Sequence, residues 1–201
     1  LPTSTFYNLP EIKREKLINA IRNEFSKNTF DKISINQIIK EADIPRGSFY
    51  QYFNDKDDVL EYILSYHRKN MIENVFLSLE HNKGDIFKVF EDACDFFRML
   101  FSDETNKKLW MNLFTDRNII QKFIDGKCIE YAGDKIINEF IPHINFDELN
   151  ITPDEVKPFL EILISIFKDT IMEIFWDVTK FADVKAKYIK KISLIKKISN
   201  K

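Results

Sequence analysis

The stretch Ile33–Lys56, ISINQIIKEADIPRGSFYQYFNDK, restricts the fold of this chain more than any other segment. Ser34 stands where a helix N-cap belongs, and Gln37 follows at capping-box spacing. That helix runs through Ile38 and Ile39 to Ala42. Asp43 comes where the chain must turn, in a left-handed conformation that a non-glycine residue adopts at a small cost. Pro45 suits the start of the next helix, where its missing N–H is not needed. Phe49 and Phe53, four apart, share one side of this second helix and anchor in a core. Ser48, Tyr50, Gln51 and Tyr52 occupy the rest of its circumference, with Arg46 just before them. A helix this short is unstable alone in water, so its neighbours must hold it. A polar, aromatic surface held that firmly suits a reader, and the major groove of DNA admits a single helix.

Composition sets the surrounding architecture. Four glycines and six prolines in 201 residues leave little turn material for an all-β fold, and the 44% hydrophobic content fills a sizeable core. The expected class is all-α, in one or two domains. Net charge is −2, but residues 1–56 hold nine Lys/Arg against seven Asp/Glu, and the remainder 21 against 25. A slightly basic module on an acidic body can bind phosphates when its basic groups face one way. Cys94 and Cys128 lack CxxC spacing and have no histidine at ligand distance, so buried free thiols and no metal are expected. No apolar run approaches the ~20 residues of a membrane span and no signal peptide is visible, which predicts a soluble cytoplasmic protein without a membrane partner. Glycine-rich phosphate loops, metal triads and nucleophile motifs are missing, and His67, His81 and His143 form no Glu-x-x-His pair. No catalytic residue and no cofactor is expected.

Upstream, a helix is predicted from Pro10 to about Asn28, with Ile12, Leu17, Ile18, Ile21 and Phe25 as its apolar stripe. Lys13, Arg14 and Lys16 crowd the end where the helix dipole prefers anions. Either a DNA phosphate supplies the missing negative charge or these are ordinary solvated side chains. Phe30 plugs the small core. After Phe53, Asn54 or Asp55 caps a longer helix carrying Val59, Leu60, Ile63, Leu64, His67, Met71, Val75 and Leu79, and Gly84 marks its break. Downstream helices are expected at 86–101, 104–114, 116–141, 153–180 and 183–198. Helix 153–180 bears more apolar surface than intrachain packing requires. Either a second copy covers the surplus or the chain buries all of it itself. The lysine-rich stretch from Asp183 reads as a closing helix or as a basic amphipathic one for membrane or extra DNA.

In a DNA-docked arrangement the amides near Ser34 point at a phosphate and Lys56 meets another. Tyr50 and Tyr52 offer hydroxyls to phosphate or pack on a thymine methyl, and Arg46, Ser48 and Gln51 face base edges. Each has a plainer reading: Arg46 on phosphate, Gln51 in solvent, Tyr52 half-buried against the long helix, Lys56 without a partner.

These residues carry a family resemblance. From about Ile12 to Leu64, through ISINQIIKEADI, GSFYQYF and NDKDDVL, the chain resembles the DNA-binding domain of TetR-family bacterial transcriptional regulators. It departs at Asp43, where glycine is commonest, and at Pro45, where serine or threonine is usual. The resemblance implies a three-helix helix-turn-helix domain at 8–54, joined by a long helix to a helical ligand-binding and dimerisation bundle at 55–201. It implies a homodimer placing its two reading helices in successive major grooves of a palindromic double-stranded operator. Tyr50 and Lys56 would contact phosphate, and Ser48 bases. The last two long helices would form the dimer contact, through Phe159, Leu163, Phe167, Ile171 and Ile174. Phe90, Phe97, Trp110, Phe114, Tyr131, Phe167 and Phe175 would line an inducer pocket, whose aromatics favour a small apolar or flat effector. Such an effector would change the spacing of the heads from the ~34–36 Å of one DNA turn, releasing a repressed promoter. The other reading is a helical protein-interaction or co-activator module on the same scaffold, without specific DNA binding.

Overall fold

A computed structural model of the chain describes residues 2–115, 119, 138–147 and 149–199. They fall into two compact units, one of Leu1–Asn70 with Asp103–Glu130, the other of Met71–Ser102 with Tyr131–Lys201. Helices build both, as the scarcity of glycine and proline predicts.

The first unit contains α1 (Ser4–Tyr7), α2 (Glu11–Lys27), a 3₁₀ turn at Phe30–Lys32, α3 (Ile35–Ala42) and α4 (Arg46–Tyr52). It also holds the first half of α5 (Lys56–His81) and α7 (Glu104–Thr115). Its core gathers Leu17, Ala20, Ile21 and Phe25 of α2, Ile38 and Ala42 of α3, Phe49 and Phe53 around α4, and Leu109 and Leu113 of α7. The stripe predicted for α2 needs one correction. Ile12 is 82% exposed, because α2 starts at Glu11 and its first turn projects beyond the core; the buried face is Leu17, Ala20, Ile21, Glu24 and Phe25. Two pieces have no periodic sequence signal. The Phe6 ring of α1 is fully buried among Tyr52, Phe53 and Tyr62 at centroid distances of 6.5, 5.2 and 5.0 Å. Helix α7 docks on α2, where Asn112 Nδ2 donates to the Phe25 and Ser26 carbonyls at 2.9 and 3.0 Å. Those carbonyls belong to the last turn of α2 and have no intrahelical donor of their own.

The second unit holds the later part of α5, α6 (Ile86–Ser102), α8 (Val156–Trp176) and α9 (Phe181–Ser199). Helix α8 packs on α6 and α9, and α9 also reaches α6. Gly84 closes α5 as its sequence position predicts: its φ is +81°, and its carbonyl accepts from the Asn145 amide at 2.9 Å. A Cβ there would lie 2.6 Å from that same nitrogen, so only glycine fits. The single helix expected at 153–180 begins at Val156 and stops at Trp176. Asp177 then caps a 3₁₀ turn, Val178–Lys180, by accepting from the Thr179 amide and hydroxyl. Most of the helix predicted at 116–141, with Tyr131 and Cys128, lies outside the described residues. Cys94 is a buried free thiol, and burial pushes its pKa up to about 12. No metal-ligating cluster and no helix long and apolar enough to cross a membrane occurs among the described residues.

Candidate nucleic-acid interface

Helices α3 and α4 meet through Asp43, whose φ of 55° and ψ of 51° are left-handed as the turn requires. Its amide donates to Lys40 O, and the Ile44 amide reaches Ile39 O, which together satisfy the end of α3. Lys16 offsets part of the strain by pairing with the Asp43 carboxylate at 3.2 Å, although both ends are well exposed. Pro45 then supplies an extended residue just before α4.

The start of α3 is capped from two directions. Ser34 Oγ accepts from the Gln37 amide at 3.3 Å, as the spacing predicts. The reciprocal arm comes from elsewhere. The Ser34 amide donates to Glu24 Oε1 at 2.9 Å, and the same oxygen accepts from Asn28 Nδ2 at 3.1 Å. Glu24 is itself buried. The Ser34 amide is therefore occupied, and the amides near it that stay open to an acceptor are the next ones along α3. The Ile35 and Asn36 amides, one and two residues further on, lack intrahelical acceptors and hold the exposed end of the dipole.

On α4 the two faces separate cleanly. Phe49 and Phe53 are buried, and Tyr52, 8% exposed, joins them, since it lies three residues after Phe49 on the same helical face. The Tyr52 ring is thus part of the core, packed against Phe6, as the half-buried reading of this residue expects. The i+3 relation to Phe49 is the signal that marks it. Arg46, Gly47, Tyr50 and Gln51 are exposed and Ser48 is half-buried. Tyr50, 44% exposed, stands edge-on to Phe49, with the Arg46 guanidinium 6.0 Å from its ring centre. A Cβ added at Gly47 would meet nothing within 4 Å, so this side of α4 is open to a large partner. At the other end of α4, the Thr3 amide and hydroxyl donate to the Tyr52 and Gln51 carbonyls, at 3.0 and 2.5 Å. The N-terminal arm thereby fixes the axis of the outward helix.

Lys56 is half-buried with a defined task. Its Nζ donates to the Phe30 and Asp31 carbonyls at 3.3 and 3.4 Å and lies 4.8 Å from the Phe30 ring centre. It pins the link between α2 and α3 and retains one of its three donors for another acceptor. The basic cluster on α2 divides similarly: Arg14 donates to Tyr7 O at 3.0 Å, Lys16 holds Asp43, and Lys13 is exposed.

A family model described as "Bacterial regulatory proteins, tetR family" matches residues 17–63. Another, "Tetracyclin repressor-like, C-terminal domain", matches residues 85–197, more than half of the chain. The chain belongs to the TetR family. TetR-type proteins are DNA-binding regulators, not enzymes. Over 52 residues the chain is 42% identical to the HTH-type transcriptional regulator HbdR of Aromatoleum sp. (strain CIB), and over 78 residues 32% identical to the uncharacterized HTH-type transcriptional regulator YdgC of Bacillus subtilis (strain 168). These alignments span 26% and 37% of this chain but only 23% and 40% of the two relatives. Among solved structures, a TetR family regulator from Chloroflexus aurantiacus J-10-FL aligns over 100% of this chain and 99% of its own, with 23% identity and a TM-score of 0.52. A TerR/AcrR family regulator from Aquifex aeolicus VF5 aligns over 91% and 99%, with 16% identity and a TM-score of 0.60. These two support the shared TetR fold.

The remaining expected site residues divide between the units. Phe90 and Phe97 of α6 meet Phe167 of α8 at 5.2 and 6.0 Å, and Phe175 packs on Phe101 at 5.0 Å, all inside the second unit. Trp110 and Phe114 sit on α7 in the first unit, where Trp110 stacks on His67 at 5.1 Å. Tyr131 is outside the described residues. Of the dimer set, Phe159, Leu163, Phe167 and Ile174 are buried within their own unit and Ile171 is half-buried. The broad apolar face of α8 is thus largely consumed by α6 and α9. What remains uncovered is its opposite edge, Ile162 (54% exposed), Met172 and Trp176 (64%); on α9, Ile189, Leu194 and Ile198 are exposed as well.

Proposed function

We propose that this chain is a transcriptional repressor that binds a palindromic operator as a homodimer and leaves it when a small apolar or aromatic effector binds the second unit. The observation that carries the reading is α4 itself. Seven residues are locked from beneath by Phe49, Tyr52 and Phe53 and from one end by Thr3, while Arg46, Tyr50 and Gln51 stand clear around an unobstructed Gly47. Among the described residues, Tyr50 touches the core only edge-on at Phe49, and Arg46 lies over the Tyr50 ring. In the major groove, Arg46, Ser48 and Gln51 suit base edges, arginine guanine and glutamine adenine, while Tyr50 and the free donor of Lys56 suit phosphate oxygens. The proposed DNA-binding module, 8–54, lies within the first unit, to which α1 and α7 also belong.

For the dimer, the exposed edge of α8 and α9 replaces the buried set expected from sequence. Ile162, Met172 and Trp176 of α8 are exposed, as are Ile189, Leu194 and Ile198 of α9, and exposed apolar side chains on two adjacent helices suit an isologous contact. Helix α8 carries Glu161, Asp169 and Glu173 with Lys157 and Lys168, whereas α9 is lysine-rich, so contacts between α8 and the α9 of a second copy would bring opposite net charges together.

A mobility shift with DNA from the upstream region of the chain's own gene tests the reading. A shifted complex that weakens on Arg46→Ala with Tyr50→Ala is expected. No shift even in low salt favours the protein-interaction module. Sedimentation of Ile162→Glu with Trp176→Glu tests the dimer face, with a monomer expected and an unchanged dimer refuting this face.

A further inference from the structure

Among the described residues of the second unit, one buried side-chain polar group has no hydrogen-bond partner. Tyr188 of α9 is 1% exposed, and its hydroxyl has no hydrogen-bond partner. Its ring lies 5.7 Å from Phe167, which in turn meets Phe90 and Phe97. A buried phenol normally finds an acceptor or donor, because a hydroxyl sealed away from water loses its hydration without compensation. Phenylalanine would fill the same space without that penalty. Two of the rings in this cluster, Phe90 and Phe97, are only half-buried. A flat molecule that parted those rings would come up against Tyr188.

We propose that Tyr188 is the polar anchor of the effector site, donating its hydroxyl hydrogen to a neutral acceptor oxygen, such as a ketone, ester or amide carbonyl, on an otherwise apolar ligand. The inference rests on the reading that the second unit takes an effector. The neighbouring charges select a neutral acceptor. Cys94 and Glu91 of α6 are close enough to Tyr188 to act on it electrostatically; Glu91 is paired with Lys88 at 2.9 Å, and Lys185, on the same helix as Tyr188, with Asp95. Burial and those two groups raise the phenol pKa, so the proton stays on oxygen throughout the physiological range and the group acts as a donor. A carboxylate would enter beside Glu91 without a free cation to receive it.

The test uses a shape-matched pair of probes, 2-acetylnaphthalene and 2-isopropylnaphthalene, titrated by calorimetry into the full chain and into Tyr188→Phe. The wild type is expected to bind the ketone several-fold to about tenfold more tightly than the hydrocarbon, the range of one net hydrogen bond. Tyr188→Phe should bind both alike. Without ligand, the variant should melt at the same temperature as the wild type or above it, since it removes an unpaired group. A ketone preference that persists in Tyr188→Phe overturns the proposal, as does a ligand-free variant that melts several degrees lower. Equal binding of both probes to the wild type keeps the effector reading and removes Tyr188 from it. No binding of either probe to either protein overturns the effector reading, and the anchor with it.

Discussion

Replacing Phe6 with alanine removes a ring that is wholly buried although it belongs to a four-residue helix near the chain terminus. Truncating a buried phenylalanine costs about 3–5 kcal/mol, the sum of lost transfer energy and the cavity left behind. Here the cavity would open among Tyr52, Phe53 and Tyr62, whose rings lie 5.0–6.5 Å from the Phe6 centroid and are held by the rest of the core. For a chain of this size each kcal/mol lowers the melting temperature by roughly 2–4 °C, so Phe6→Ala should lower it by roughly 6–20 °C. Tyr7→Ala is the matched control. Tyr7 is adjacent but largely exposed, and its substitution should cost about 1 kcal/mol or less. The same arm bonds the Gln51 and Tyr52 carbonyls through Thr3, so Phe6→Ala should also weaken DNA binding while leaving Arg46, Tyr50 and Gln51 in place. Scanning calorimetry of both variants, with binding measured well below the lower transition, checks the two effects. A shift under 2 °C for Phe6→Ala would refute the reasoning, because it would mean that α1 is undocked in solution and does not brace α4.

Other substitutions separate capping from reading. Glu24→Ala leaves the Ser34 amide without its acceptor and should cost about 1–3 kcal/mol by urea denaturation, whereas Glu24→Gln, which keeps an oxygen there, should cost less. On α4, Tyr52→Phe should leave operator affinity within about twofold, and Tyr50→Ala should reduce it clearly; equal losses would return Tyr52 to the DNA face. Burial, with the nearby Arg22 charge, lowers the His67 pKa from its ordinary 6.5 to about 4. The unfolded chain therefore takes up the proton first as pH falls. The contribution is complete above about pH 6.5 and is lost progressively down to about pH 4, amounting to at most about 3 kcal/mol. His67→Gln should flatten that part of the stability–pH curve, and an unchanged slope would show that His67 titrates freely in the fold.

What could be read from the residues was what local rules encode. Capping at Ser34, the left-handed Asp43, the Phe49–Phe53 anchor and the break at Gly84 each follow from backbone geometry within a few positions, and each is present. The family followed from the same segment. What escaped were partners distant in sequence. Glu24 completes the cap of α3 from ten residues upstream, and Asn112 caps α2 from 86 and 87 residues downstream. No local pattern announces either, because any exposed-looking Glu or Asn fits the periodicity equally well. Phe6 was missed because a single turn of helix has no period to detect.

The faces of α8 and α4 were less legible, for a different reason. Apolar periodicity says that a helix side is buried and is silent about what buries it. On α8 the strongest stripe, Phe159–Leu163–Phe167–Ile174, is used by the chain's own α6 and α9, and the surface left for a second copy is the weaker one, Ile162, Met172 and Trp176. On α4 the same ambiguity left Tyr52 open between DNA and the core, and its helical phase places the ring in the core. On the dimer face proposed above, the densest apolar stripe of α8 serves the fold and the sparser, edge-exposed one assembly. That division has a direct consequence: Leu163→Ala should lower stability by about 2–5 kcal/mol. Ile162→Glu, one residue away, should leave the melting of the isolated protomer nearly unchanged and act on the dimer alone. If the two variants destabilise the protomer equally, the division between folding face and assembly face fails.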